Sequence, residues 1–185
     1  MDNGSEVTAK KISKVRRIVR YSIAVAASLL LIFVCIEGYN FYSLSAGKLF
    51  AEKYTGFYLM TTEDTTESEI EKAYKEQKYA EVISLNRNSV LSIKDVFLTG
   101  MSYLEINDLS KAISSYQVVI ADLKNDKNSM LKDAAEFYLA LAYLKNNDYD
   151  QAIELMNTMR DKSSHQYRSK FSRKYINKIK RLKWR

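Results

Sequence analysis

His165 and Cys35 are the only histidine and cysteine in the 185-residue chain, and they are its first candidates for chemistry. An imidazole can act as a general base or ligate zinc, but both roles need partner groups at fixed distances. His165 has no Cys nearby, so any acid it used would have to come from elsewhere in the chain. A single Cys excludes an intramolecular disulfide and a Cys-based zinc site. Cys35 lies in an apolar run, where it reads as a small apolar residue; a lipoprotein cysteine would follow small residues, and Phe33 and Val34 precede this one. Asp148 and Asp150 flank a turn, and turn and cap chemistry accounts for them better than a metal pair. The chain has no Gly-rich phosphate loop, no G-x-S-x-G, no H-E-x-x-H and no calcium-loop spacing. The expectation is a protein that is not an enzyme, with no catalytic residues, no metal and no cofactor.

What remains is charge. The net charge of +7 is unevenly spread: residues 1–20 carry six Lys/Arg, residues 48–159 carry 12 against 18 Asp/Glu, and residues 160–185 carry 11 against Asp161 alone. Near the end, Tyr167, Phe171, Tyr175, Ile179 and Leu182 recur at steps of three or four. That spacing predicts an amphipathic helix whose other face is basic. A solvated capping helix explains the pattern, and Arg173, Lys174 and Lys178 are the candidates for lipid or phosphate contact.

The elements that position these residues are expected to be helical, because the chain has no Pro and only five Gly. Tyr21 to Ile36 runs 16 residues without a charge. As a helix this spans about 24 Å, and adding Gly38 to Leu44 reaches the ~30 Å of a hydrocarbon layer if Glu37 lies at the far interface. Tyr39, Phe41 and Tyr42 then form an aromatic belt, and the preceding Lys10, Lys11, Lys14, Arg16, Arg17 and Arg20 place the N-terminal side in the cytoplasm. With the basic tail on the far side of the membrane, no nucleic-acid partner is expected. A cleaved signal peptide is the rival reading, with Ser43-Leu44-Ser45 as its small-x-small site. Residues 49–68 begin as a helix and become a Thr-rich connection, with Ser68 and Glu71 offering a capping box.

Two stretches then repeat. DVFLTGMSYLEINDLSKAI (95–113) aligns with the segment ending LALAYLKNNDYDQAI (139–153). Gly100 falls on Ala140, Tyr103 on Tyr143, Asn107-Asp108 on Asn147-Asp148, and Ala112-Ile113 on Ala152-Ile153. A weaker copy, KAYKEQKYAEVISL (72–85), sets Tyr79 on Tyr149 and Val82 on Ala152, with a turn that reads one residue shorter. These residues resemble the tetratricopeptide-repeat family, whose pattern contains G-x2-Y and A-x3-F. The family's Trp and Pro positions are not matched. The resemblance implies antiparallel helical hairpins in close contact at Gly100, where leucine would overpack and alanine would be tolerated. It also implies a concave groove lined by Phe97, Met101, Leu104, Phe137, Leu141 and Leu144, suited to an apolar or amphipathic segment. Burial of these six beneath the linker or the capping helix is the competing reading.

The expected fold is all-α: an N-terminal transmembrane helix, a short stack of tetratricopeptide-like hairpins and a C-terminal capping helix. Its parts are a basic cytoplasmic arm (1–20), a transmembrane helix (21–44), a juxtamembrane helix and linker (45–65), repeats over 66–162 (about 66–90, 93–126 and 133–162) and a basic capping helix (163–185). The function read from this is a single-pass, membrane-tethered adaptor or assembly factor in a bacterial inner membrane, with its repeats in the periplasm. Its partners would be proteins, drawn from envelope or membrane proteins, and membrane lipid through the anchor; the oligomeric state is left open. The alternatives are a transmembrane sensor or regulator in envelope stress signalling and, with opposite topology, an organelle import-receptor-like protein.

Overall fold

The computed structural model describes residues 4–57, 67–86, 91–126 and 129–184. Within the first helix it describes side chains from Val19 onward, apart from positions 20, 24, 40 and 41. The chain divides into two compact units, Met1–Leu44 and Ser45–Arg185. All secondary structure among the described residues is helical.

The first unit contains one helix, α1 (Gly4–Ser43). Its stretch Tyr21–Tyr39 is 19 residues long with a mean hydropathy of 2.1, and none of it is buried against protein. It is therefore long and apolar enough to cross a membrane. Leu29, Leu30, Leu31, Ile32 and Phe33 point in successive directions around the helix, and all are exposed. An apolar circumference of this kind is what a lipid-facing helix requires. Tyr39 and Tyr42 of the expected aromatic belt are exposed on α1. Phe41, the basic side chains of 10–20 and the Thr-rich connection at 58–66 lie outside the described residues.

The second unit begins with α2 (Ala46–Lys53). Three hairpins follow: α3 (Glu69–Lys75) with α4 (Tyr79–Leu85), α5 (Ile93–Glu105) with α6 (Leu109–Asp122), and α7 (Met130–Lys145) with α8 (Tyr149–Asp161). A 3-10 turn (Arg168–Lys170) and α9 (Arg173–Lys183) complete it. The hairpins stack in chain order, α2 lies against α7 and α9, and α9 lies against α8. Serine starts the first helix of each hairpin: Ser68, Ser92 and Ser129 each accept a hydrogen bond from the backbone N–H three residues on. Ser92 and Asp95 form a full reciprocal capping box. Of the pair expected to cap α3, the Ser68 half is present, and the Ser68 hydroxyl also donates to Asp95 at 2.7 Å, tying α3 to α5.

The hairpin turns are alike. Gln77, Asn107 and Asn147 each take the left-handed conformation, with φ of 58°, 65° and 66°. At each, the residue's own N–H bonds a carbonyl three back and the next N–H bonds one five back: Tyr74 and Ala73, Leu104 and Tyr103, Leu144 and Tyr143. This is the Schellman ending of a helix, used three times. The turn of the first hairpin is therefore the same length as the others, not one residue shorter. Ala73 occupies the position of Tyr103 and Tyr143.

Gly100 sits where α5 meets α6. A Cβ built there would lie 2.9 Å from the Ser115 Cβ and 3.0 Å from the Tyr116 ring. The close contact expected of Gly100 is present, but it is too close for alanine as well as for leucine. The capping helix is shorter than expected. Ser172 accepts a hydrogen bond from the Tyr175 N–H and starts α9 there, so Tyr167 and Phe171 belong to the turns before it.

Candidate functional site

The six residues expected to line an open groove are gathered on the inward faces of α5 and α7, but they are buried. Phe97, Met101, Phe137, Leu141 and Leu144 are 0% exposed and Leu104 is 1% exposed. The groove expectation is corrected accordingly: this face is closed by two other pieces of the same chain.

One closing piece is α2 and the strap that follows it, residues 54–57. Leu49 of α2 is buried. Tyr54 stacks on Phe50 at 4.8 Å, and its hydroxyl donates to the Glu105 carboxylate at the end of α5. Burial, and then the bond to Glu105, push the Tyr54 hydroxyl well above its ordinary range, so it stays a neutral donor. The Thr55 carbonyl accepts from the Tyr138 hydroxyl of α7 at 2.7 Å. Phe57 packs edge-on against Phe97 at 4.7 Å, and its carbonyl accepts from the Tyr74 hydroxyl of α3 at 3.4 Å. The strap thus touches the first helix of all three hairpins, where a bound peptide would run.

The other closing piece is the segment 163–171. Tyr167 stacks on Phe137 at 4.4 Å, and Phe171 stacks on the same ring at 5.4 Å. His165, 2% exposed, sits at the base of this turn. The acids absent from its sequence neighbourhood come from α7: its Nε2 lies 3.0 Å from Glu136 Oε2 and 3.6 Å from Asp133 Oδ1. Among the described residues these three form the one group of ligating side chains whose donor atoms lie within 4.8 Å of one another. Its hydrogen bonds give it a different task from metal binding. Nδ1 accepts the Tyr167 N–H at 3.1 Å, which leaves Nε2 carrying the proton toward Glu136. Nε2 in that tautomer has no lone pair for a metal. Asp133 Oδ2 accepts the Gln166 N–H at 2.7 Å. The cluster is a polar latch that fixes the turn and seats Tyr167 and Phe171 on α7.

Where the two closing pieces meet they leave a seam. A cavity of about 430 Å³ opens there between Thr55, Gly56 and Phe57 of the strap, Leu131 and Ala134 of α7, and Tyr167. Met130, 72% exposed, stands at its rim, and Lys94 contributes one cation. Nothing in the local sequence marks this seam. The spacing of Phe50, Tyr54 and Phe57 at steps of four and three was the available signal that the strap is not a bare linker.

The residues expected to meet lipid or phosphate lie on α9. Arg173 and Lys174 are exposed, whereas Lys178 pairs with Glu52 of α2 at 3.2 Å. Burial alone would raise the Glu52 carboxyl, but Lys178, with Lys53, outweighs it and holds the group below its usual range. Lys178 is thus engaged in holding α9 to α2.

The tetratricopeptide repeat family model matches residues 96–124 and 134–163, the α5/α6 and α7/α8 hairpins. No curated protein and no solved structure matches the chain. The match gives these two hairpins the tetratricopeptide pattern and supports a protein–protein interaction role. The α3/α4 hairpin shares the turn geometry of the matched pair.

Proposed function

We propose that the protein is a membrane-tethered adaptor that takes up an apolar side chain or short apolar segment of a protein partner in the seam cavity. The observation that carries this is the cavity itself: among the described residues, the closing pieces leave an apolar opening of about 430 Å³ on the inward face of the repeats. Its walls come from the repeat helices and from both closing pieces, so a partner residue entering it would contact all three. The apolar stretch Tyr21–Tyr39 supports tethering, and the basic residues before it favour a cytoplasmic N-terminal side with the repeats in the periplasm. Envelope or membrane proteins are then the partners within reach. A reporter fused after residue 60 should be active only outside the cytoplasm, and a soluble product beginning near Ala46 would contradict the anchor.

Gly56 lines the cavity, and a Cβ on it would meet nothing within 4 Å, so Gly56→Trp should fold normally and crowd the opening. Partners cross-linked to the intact chain in membranes should be lost from Gly56→Trp while helical circular dichroism is unchanged. An unchanged set of partners from that variant would contradict the cavity as the capture site.

A further inference from the structure

We propose that the basic face of α9 docks on an anionic phospholipid surface, with Trp184 seated among the headgroups. The proposal rests on the tethering stated above. On α9, Tyr175, Ile176, Ile179 and Leu182 are buried against the repeats, while Arg173, Lys174, Lys180 and Arg181 are exposed on the other side. The acids that face α9 are already engaged: Glu52 of α2 with Lys178 at 3.2 Å and Asp150 of α8 with Lys183 at 2.6 Å. Asp161 of α8 binds Arg160 at 2.9 Å and lies near Arg173. No acid occurs between Lys162 and Trp184, so Lys174, Lys180 and Arg181 present a single-sign surface to solvent.

Trp184 follows directly and is 86% exposed. An indole held in water beside a cluster of cations has the composition of an interfacial anchor: the ring suits the headgroup boundary and the cations suit its phosphates. Charge complementarity selects an anionic lipid over a neutral one. Chain length makes the encounter efficient. Only Leu44 and Ser45 separate α1 from α2, and α2 is bonded to α9 through the Tyr175 hydroxyl on the Leu49 carbonyl at 2.7 Å. Any bilayer holding α1 therefore meets the second unit at high effective concentration through the covalent link alone.

Trp184 is the only tryptophan in the chain, so its fluorescence reports on the proposed contact alone. The full chain would be reconstituted into vesicles of phosphatidylcholine, with or without a third of phosphatidylglycerol. In the anionic vesicles Trp184 emission should shift to the blue and be quenched by phospholipids brominated near the headgroup. Both effects should vanish in molar salt and in the variant Lys174→Glu/Lys180→Glu/Arg181→Glu, whose helical circular dichroism should match the parent's. Water-like emission in anionic vesicles, from a chain that resists carbonate extraction, would overturn the docking while leaving the tether intact. An equal shift in neutral vesicles, or one produced in them by inorganic phosphate or a DNA duplex, would overturn it too. Release of the chain by carbonate would instead overturn the tethering on which the proposal rests.

Discussion

The α5/α6 and α7/α8 hairpins share a family match, a turn and a register, yet each closes its inward face differently. Phe97 of α5 lies under Phe57 of the strap, which comes from before the repeats. Phe137 of α7 lies under Tyr167 and Phe171, which come from after them. The equivalent small positions differ as well. Gly100 faces the Tyr116 ring, which leaves no room for a Cβ, whereas its counterpart Ala140 is in the hairpin where flexible Met156 takes the place of Tyr116. The repeat motif thus sets backbone geometry, while the surrounding chain decides which surfaces stay available for binding.

The strongest way to break this comparison is to treat the two inward faces as open. Met101 and Leu141 are both fully buried, so Met101→Glu with Leu141→Glu would place carboxylates where neither water nor a cation can reach them. Each should cost about 4 kcal/mol or more, enough together to abolish the cooperative urea transition of the second unit. A double variant that melts like its parent would mean the faces are solvated.

Alkaline titration tests the closing contacts next. Burial raises the hydroxyl pKa of Tyr74, Tyr116, Tyr138 and Tyr175 above the ordinary tyrosine value. A raised folded-state pKa means the unfolded chain loses these protons first, at about pH 10. Stability from these groups is therefore complete below that pH and falls above it, by up to about 1.4 kcal/mol per pH unit for each group. Stability that stays level from pH 9 to 11 would show that the tyrosines are not buried in this way.

The smallest effects sharpen the difference between the hairpins. Gly100→Ala should destabilise by about 1 kcal/mol net, because overpacking against Tyr116 exceeds the gain in helix propensity, and Gly100→Leu should cost about 3. At the equivalent position Ala140→Gly should cost about 1 kcal/mol, mainly through propensity. Adding a methyl harms one hairpin and removing one harms the other. A stabilising Gly100→Ala would erase the distinction.

The sequence makes local features legible and long-range ones obscure. Asn107-Asp108 and Asn147-Asp148 announce their turns because asparagine tolerates positive φ and aspartate suits a helix start. Gln77 takes the same conformation with no such preference, which is why its turn reads short. Gly100 advertises a close contact, but its tightness depends on Ser115 and Tyr116 across the hairpin. Closure of the groove was hardest to see. The Tyr138 to Thr55 bond spans 83 residues, and no periodicity encodes it. Likewise Asp133 and Glu136 sit one turn apart on α7, unremarkable until His165 arrives from just past the end of the same hairpin.

Thiol labelling tests the closed inward face most directly. In a chain carrying Cys35→Ser, Met101→Cys places a single thiol at a site on α5 that is 0% exposed, one turn from Phe97, whose ring meets Phe57 of the strap. Closure by the strap and the segment 163–171 predicts that this thiol reacts with a maleimide only as fast as the second unit unfolds. Labelling under native conditions at the rate of the urea-denatured chain would show an open groove and contradict the account.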